Sequence, residues 1–140
     1  MTTIDVEAAA ARAQELHDAG YNCAQAVACA CATAVGVDEN EVFRLMEGFG
    51  GGMGGFSETC GAISGGIALL GYANSGGTEN PRTKASTYKL SRQLVQRFGE
   101  ANGSTRCPEL KGLTGGPVLR SCSDCIDDGV RLVLDILGNR

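Results

Sequence analysis

Residues 48–71 read GFGGGMGGFSETCGAISGGIALLG. Six glycines fall between Gly48 and Gly55, and Ser57-Glu58-Thr59-Cys60 then opens a run of small and apolar residues at helical spacing. A loop so poor in side chains lets its backbone come close to whatever lies beside Cys60, which makes Gly51, Gly52, Gly54 and Gly55 the candidate cofactor-binding positions. Ser57 suits an N-cap, with Glu58 in the first turn and Cys60 at the third helical position, beside N–H groups without helical partners. A thiolate there is favoured by the helix dipole. Within the helix, Gly61, Ala62, Gly65 and Gly66 form a nearly flat face, the surface that a closely crossing helix requires. Gly50, Gly52 and Gly55 satisfy G-x-G-x-x-G, but the preceding VFRLMEGFG reads as a helix end rather than a strand, and no Gly-Lys-Ser/Thr follows. Neither a dinucleotide site nor a phosphate-binding P-loop is expected.

Upstream, Ile4 to about Ala19 reads as a helix of alanines and charged residues that Gly20 ends. The single histidine, His17, belongs to its solvated last turn. Asn22 and Gln25 form a capping-box pattern that starts a second helix at Cys23. Along AQAVACACATAV, Cys29 and Cys31 lie about 200 degrees apart, so they cannot face one site. Both read as packing residues of a buried helix. Asp38 and Glu41 repeat the capping pattern for a third helix, Glu39 to about Gly48, with an apolar stripe of Val42, Leu45, Met46 and Phe49.

Downstream of the central helix, ANSGGTENP is a turn-rich connector. Pro81 suits the first turn of a fifth helix marked by Ala85, Tyr88, Leu94, Val95 and Phe98 and stopped by Gly99. Its other face carries Arg82, Lys84, Lys89, Arg92 and Arg97, a solvated face or a docking face. Cys107 is expected to cap a short turn with Pro108 in it, and Arg106 and Lys111 bracket the thiol with positive charge. Ser121 caps the last helix, placing Cys122 at its first position, and Ile126, Val130, Val133, Leu134 and Leu137 complete it. Leu132 and Ile136 point elsewhere, so this helix is expected to be buried on two sides, by the domain and by a second subunit in a homodimer.

These elements describe an all-α fold: one compact domain over residues 1–140, a bundle of about five to six helices with the Gly-rich loop before the central one. A chain of 140 residues is a single-domain length with room for a real core. Its 43% hydrophobic share comes from Ala, Leu, Val and Cys without Trp, which calls for close approach of the core elements. A net charge of −4 argues against nucleic acid as a partner. No apolar run reaches the ~18 residues of a membrane span. The start, MTTIDVEAAAARAQEL, lacks a basic region followed by an apolar one, so a cytoplasmic location is expected. One His and no Ser-His-Asp or Cys-His set rule against the usual hydrolase machinery.

Seven cysteines in such a chain, an odd number, disfavour a static disulfide framework and point to metal binding or redox chemistry. Cys23, Cys60, Cys107 and Cys122 each fall in the cap or first turn of an expected helix. The dipole supplies about 0.3–1 kcal/mol, at most ~2, against about 1.4 kcal/mol per pKa unit, so it lowers a thiol by about one unit. Larger shifts need Arg106, Lys111 or a bound cation. Ser121-Cys122-Ser123-Asp124-Cys125 adds a C-x-x-C, a redox and metal spacing because residues three apart share a helix face.

NCAQAV at Cys23, GGGMGGFSETCGAISG at Cys60, CPEL-x-G at Cys107 and the late Cys122 together resemble the family described as redox-active and named for its C_GCAxxG_C_C arrangement. The likeness runs from Gly20 to Leu137, and Cys60-Gly61-Ala62-Ile63-Ser64-Gly65 reproduces its CGAxxG motif. The resemblance implies that Cys23, Cys60, Cys107 and Cys122 are the functional cysteines, with Cys29, Cys31 and Cys125 beyond the pattern. Three readings stay open. In the first, the four thiolates are metal ligands of an iron–sulfur cluster that passes electrons to an oxidoreductase partner. In the second, Cys122 and Cys125, or Cys60 with one of the tail cysteines such as Cys107, cycle between dithiol and disulfide without metal. In the third, the four cysteines hold structural zinc.

Overall fold

The computed structural model describes residues 5–140 as seven helices: α1 (Val6–Asp18), α2 (Cys23–Val35), α3 (Glu39–Met46), α4 (Gly61–Asn74), α5 (Lys84–Asn102), α6 (Cys107–Leu110) and α7 (Cys122–Gly138). Among the described residues there is no strand, only an isolated antiparallel bridge between Thr59 and Arg106. The fold is all-α, with six long helices and one short turn. Ile4, the expected start of the first helix, lies outside the described residues.

Local hydrogen bonds explain why most helices begin where they do. Asn22 Oδ1 accepts from the Gln25 N–H at 2.9 Å while Gln25 Oε1 accepts from the Asn22 N–H at 3.0 Å, a complete capping box. The same two side chains anchor α2 to the next segment: Asn22 Nδ2 donates to Glu47 O, and Gln25 Nε2 to Phe43 O. Gln25 is thereby buried without an unmet amide. Asp38 and Ser121 cap α3 and α7 through the N–H groups of Glu41 and Asp124.

The core is continuous and built mainly of small residues. Ala24, Ala26, Val27, Ala28, Cys29 and Cys31 of α2 meet Ala62, Ile63, Leu69 and Leu70 of α4 and Ile126, Val130 and Val133 of α7. Cys29 and Cys31 are both fully buried, as packing residues should be. The close crossing of α2 and α4 depends on absent side chains: a Cβ at Gly65 would collide with the Ala24 carbonyl, and one at Gly61 with the Cys23 sulfur. Gly66 leaves room for Val133 and Leu94 in the same way.

Several expectations need correcting. α3 stops at Met46 and continues as a 3₁₀ turn, Glu47–Phe49, which takes Phe49 off the α-helical stripe. Val42 and Met46 are buried, whereas Leu45 is 68% exposed and Phe49 39% exposed. α5 starts at Lys84, because residues 75–83 form a turn in which Thr83 Oγ1 accepts from the Gly76 N–H. The helix runs through Gly99 to a left-handed Gly103, and buries Leu90, Leu94 and Phe98 while Ala85 and Tyr88 stay exposed. On its basic face Arg97 pairs with Asp135 at 2.9 Å. In α7, Ile136 is buried within this chain, and only Leu132 and Leu134 remain partly covered. His17 is half-buried, its Nδ1 3.1 Å from Tyr21 O.

Gly65→Ala tests the crossing. Ala is the better helix former by about 1 kcal/mol, yet overpacking against backbone costs about 1–3 kcal/mol, so urea unfolding is expected to show net destabilisation. Gly138→Ala, where nothing lies within 4 Å of the added carbon, is expected to change stability by no more than about 0.5 kcal/mol.

Candidate functional site

Two long-range ties bring separate cysteines to one place. Around the Thr59–Arg106 bridge, the Cys60 N–H donates to Thr105 O at 2.9 Å and the Cys107 N–H to Glu58 O at 2.8 Å. Those bonds set Cys60 and Cys107 side by side. The Leu119 and Arg120 N–H groups both donate to Leu110 O, at 2.9 and 3.2 Å, which folds the 113–119 loop back and delivers Cys122 to the same spot. α1 holds the start of α7 through Gln14, whose Nε2 donates to Ser123 O and whose Oε1 accepts from Ser123 Oγ.

The product is an enclosed pocket lined by Cys23, Cys60, Cys107, Cys122 and Cys125, with Gly61, Leu110, Lys111 and Arg120. All the cysteines of the chain are free thiols. Cys60, Cys107 and Cys125 are buried, while Cys23 and Cys122 are half-buried. The Cys60 thiol interacts with those of both Cys23 and Cys125. Both members of C-x-x-C therefore reach the pocket, one at its rim and one at its floor.

Helix starts supply these cysteines, but not all in the expected positions. Cys23 and Cys122 are first residues of α2 and α7. Cys60 is the N-cap of α4 rather than its third residue, because pairing with Thr105 holds it extended at φ −55°, ψ 132°. Ser57 does not cap. Cys107 is the first residue of α6, and Arg106 is the N-cap. Arg106 turns away from the pocket, its Nη2 donating to Ser57 O at 2.9 Å.

Of the four glycines singled out in the loop, two reach the thiols. Gly52 is buried in a left-handed conformation, φ 54°, and a Cβ there would lie 2.5 Å from Cys107 Cβ and 3.1 Å from its Sγ. Gly51 turns its N–H toward the Cys23 sulfur. Gly54 has nothing within 4 Å of its missing Cβ, and Gly55 has only Ser57 Oγ. Arg120, placed by its bond to Leu110 O, was not legible as a site residue: it sits in an aperiodic loop, LTGGPVLR.

The electrostatics reverse the expectation of lowered thiols. Cys23 is pushed up by the neighbouring Cys60 thiol and by burial, which outweigh the N–H groups of Gly51 and Ala24. Cys60 is pushed up to about 12, first by Cys125 and then by burial, against the opposing influences of Cys23 and the Ala62 N–H. Cys107 is raised by burial despite Lys111. Helix-end dipoles are too weak to offset desolvation beside other sulfurs.

In kind, this donor set fits a thiophilic centre: five sulfurs, and a glycine cradle that a Cβ at Gly52 or Gly61 would fill. In arrangement, no three Cys, His, Asp or Glu side chains among the described residues are grouped closely enough to hold a metal ion. The cavity between the sulfurs measures about 10 Å³, the space of about one water.

Residues 21–136 match the profile of a family described as "Putative redox-active protein (C_GCAxxG_C_C)". An uncharacterized protein of Archaeoglobus fulgidus is 29% identical over 146 residues, covering 95% of each chain. No solved structure matches the chain. Among the described residues, no helix is long and apolar enough to cross a membrane.

The raised thiols give the reduced, metal-free protein a defined pH response. In the unfolded chain a thiol titrates near about 8.5, while folded Cys60 titrates near 12. The folded state keeps a proton that the unfolded state sheds, so this contribution is full below about pH 8.5 and is lost as pH climbs toward 12. The slope is about 1.4 kcal/mol per pH unit for each such thiol. Anaerobic urea unfolding at pH 8, 9 and 10 is expected to show falling stability, with a shallower fall in Cys60→Ala.

Proposed function

Because the chain belongs to the C_GCAxxG_C_C family, we propose that its thiol pocket is the redox centre, an iron–sulfur site with Cys23, Cys60, Cys107 and Cys122 as ligands. One observation carries this reading: four cysteines far apart in sequence, each at a helix start or cap, line a single enclosed pocket walled by glycine backbone. Four thiols are the ligand set of two-iron and four-iron clusters. Bound there, a cluster supplies one-electron transfer.

The chain's own part is to supply and shield the sulfurs. The Gly51 and Ala24 N–H groups face the Cys23 sulfur and the Ala62 N–H faces that of Cys60. Leu110 and Gly61 close the pocket to bulk water. Deprotonated sulfurs so close together repel one another, and a cationic group between them turns that repulsion into attraction. Electron exchange with an oxidoreductase partner, in the reducing cytoplasm that seven free thiols suit, belongs to the same proposal.

A second reading rests on a separate observation, the interaction of the Cys60 thiol with both Cys23 and Cys125. Oxidation of such a pair joins the two sulfurs and releases two protons and two electrons to an acceptor disulfide. Burial of Cys60 and Cys125 disfavours it, since exchanging thiols sit where a partner disulfide can reach them.

Anaerobic reconstitution with ferrous iron and sulfide separates the readings. The expected product is coloured, holds iron in a fixed ratio to protein and bleaches on reduction. Cys60→Ser is expected to lose most of the visible absorbance, while Cys31→Ala, in the core away from the pocket, keeps it. A colourless, iron-free product whose mass falls by two hydrogens on mild oxidation establishes the disulfide reading in its place.

A further inference from the structure

Two cations line the thiol pocket, and they are differently committed. Arg120 donates from Nε and Nη2 to the Asp128 carboxylate at 3.1 and 3.0 Å, with Asp124 3.9 Å away, so carboxylates answer its charge. Lys111 has no carboxylate at ion-pair distance among the described residues. Its ammonium lies 5.3 Å from the centroid of the Phe56 ring, and the residue lines the same pocket as Cys122, Cys107 and Cys23. The backbone fixes this placement: the Lys111 N–H donates to Cys107 O at 3.0 Å, and the neighbouring Leu110 is buried. Phe56 reaches the ammonium from a left-handed backbone, φ 56°, which a residue with a side chain adopts at a cost of order 1 kcal/mol or more. The same conformation lays the half-exposed Phe56 ring against the Gly51 backbone.

We infer that Lys111 sets the electrostatic field of the thiol pocket, as a free positive charge braced by Phe56 over Cys122 and Cys107. It stabilises whichever state of the centre carries more negative charge, and so raises the centre's reduction potential. It also draws anions to Cys122, the half-buried thiol on its side of the pocket. The first consequence rests on the redox reading above; the second holds for the metal-free protein, whatever the centre is.

The second consequence supplies the experiment. The reduced, metal-free full-length protein is alkylated with anionic iodoacetate and, in parallel, with neutral iodoacetamide, and modification of Cys122 is followed by peptide mass spectrometry. Thiolate fraction and exposure affect both reagents alike, so the ratio of the two rates reads the field at the sulfur. Lys111→Gln is expected to lower that ratio by about fivefold, the effect of one unit charge about 4 Å away in a watery surrounding. Lys111→Arg is expected to hold it within about twofold. Salt at 1 M, where the screening length is about 3 Å, is expected to abolish most of the difference between wild type and Lys111→Gln. An unchanged ratio in Lys111→Gln, or an equal fall in Lys111→Arg, overturns the inference. In reconstituted protein Lys111→Gln is expected to titrate at a lower potential than wild type. A wild-type protein with no reducible centre overturns the redox reading alone, since the alkylation ratio is measured without one.

Discussion

The contact on which the rest depends is the crossing of α2 and α4, where two glycines of one helix lie on the backbone and first sulfur of the other. α2 is almost all alanine and cysteine along its buried length, so it offers no large side chain to fill a wide gap. Dispersion between small residues accumulates only at short separation, and Gly61 and Gly65 supply that separation by removing the carbon that would meet Cys23 and Ala24. The crossing lies at the N-terminal ends of both helices. Cys23 and Cys60 therefore meet through the same contact that closes the core, and neither can move without the other.

The remaining cysteines arrive by a different route, through backbone hydrogen bonds between irregular segments. Thr105 O and Glu58 O fix Cys60 against Cys107, and Leu110 O gathers the chain that leads to Cys122. Helix N-termini then point at one small volume from several directions, an arrangement that favours negative charge. Burial and the proximity of other sulfurs oppose it more strongly, and Cys60 ends near 12. The fold thus concentrates sulfur without itself supplying enough positive charge to ionise it. Lys111 and Arg120 are the cations that line the pocket, and Asp128 and Asp124 already answer the charge of Arg120.

Features decided within four residues could be read from the sequence. The caps at Asn22, Asp38 and Ser121, the left-handed Gly20 after α1 and the burial of Cys29 and Cys31 all follow from short-range bonds or from helical periodicity. Features decided across the chain could not. Ser57 has the residue type of a cap, yet Cys60 occupies that place because Thr105, far along the chain, holds its backbone extended. Phe49 fits the stripe of α3 only if the α-helix continues, and the tightening to a 3₁₀ turn moves it off that face. For the site, the recurrence of cysteine at helix starts and the CGAxxG motif singled out four thiols that line one pocket, together with Cys125. Their convergence on a single pocket, and the roles of Arg120 and Gly52 in it, come from tertiary bonds that carry no periodic signal.

The C-x-x-C of α7 shows what the geometry adds to a spacing. Residues three apart share a helix face, and both sulfurs do reach the pocket, but the helix axis runs from its edge toward its floor. Cys122 is half-buried beside Lys111, whereas Cys125 is buried beside Cys60. The two thiols consequently meet different media, one half-exposed to water, the other dry and among sulfurs. Negative charge in the pocket is stabilised best at the wet end, where water and Lys111 both respond to it. The edge formed by Cys122, Lys111 and Phe56 is the part of the pocket that solvent reaches, and the floor formed by Cys60 and Cys125 is the part that the core keeps from it.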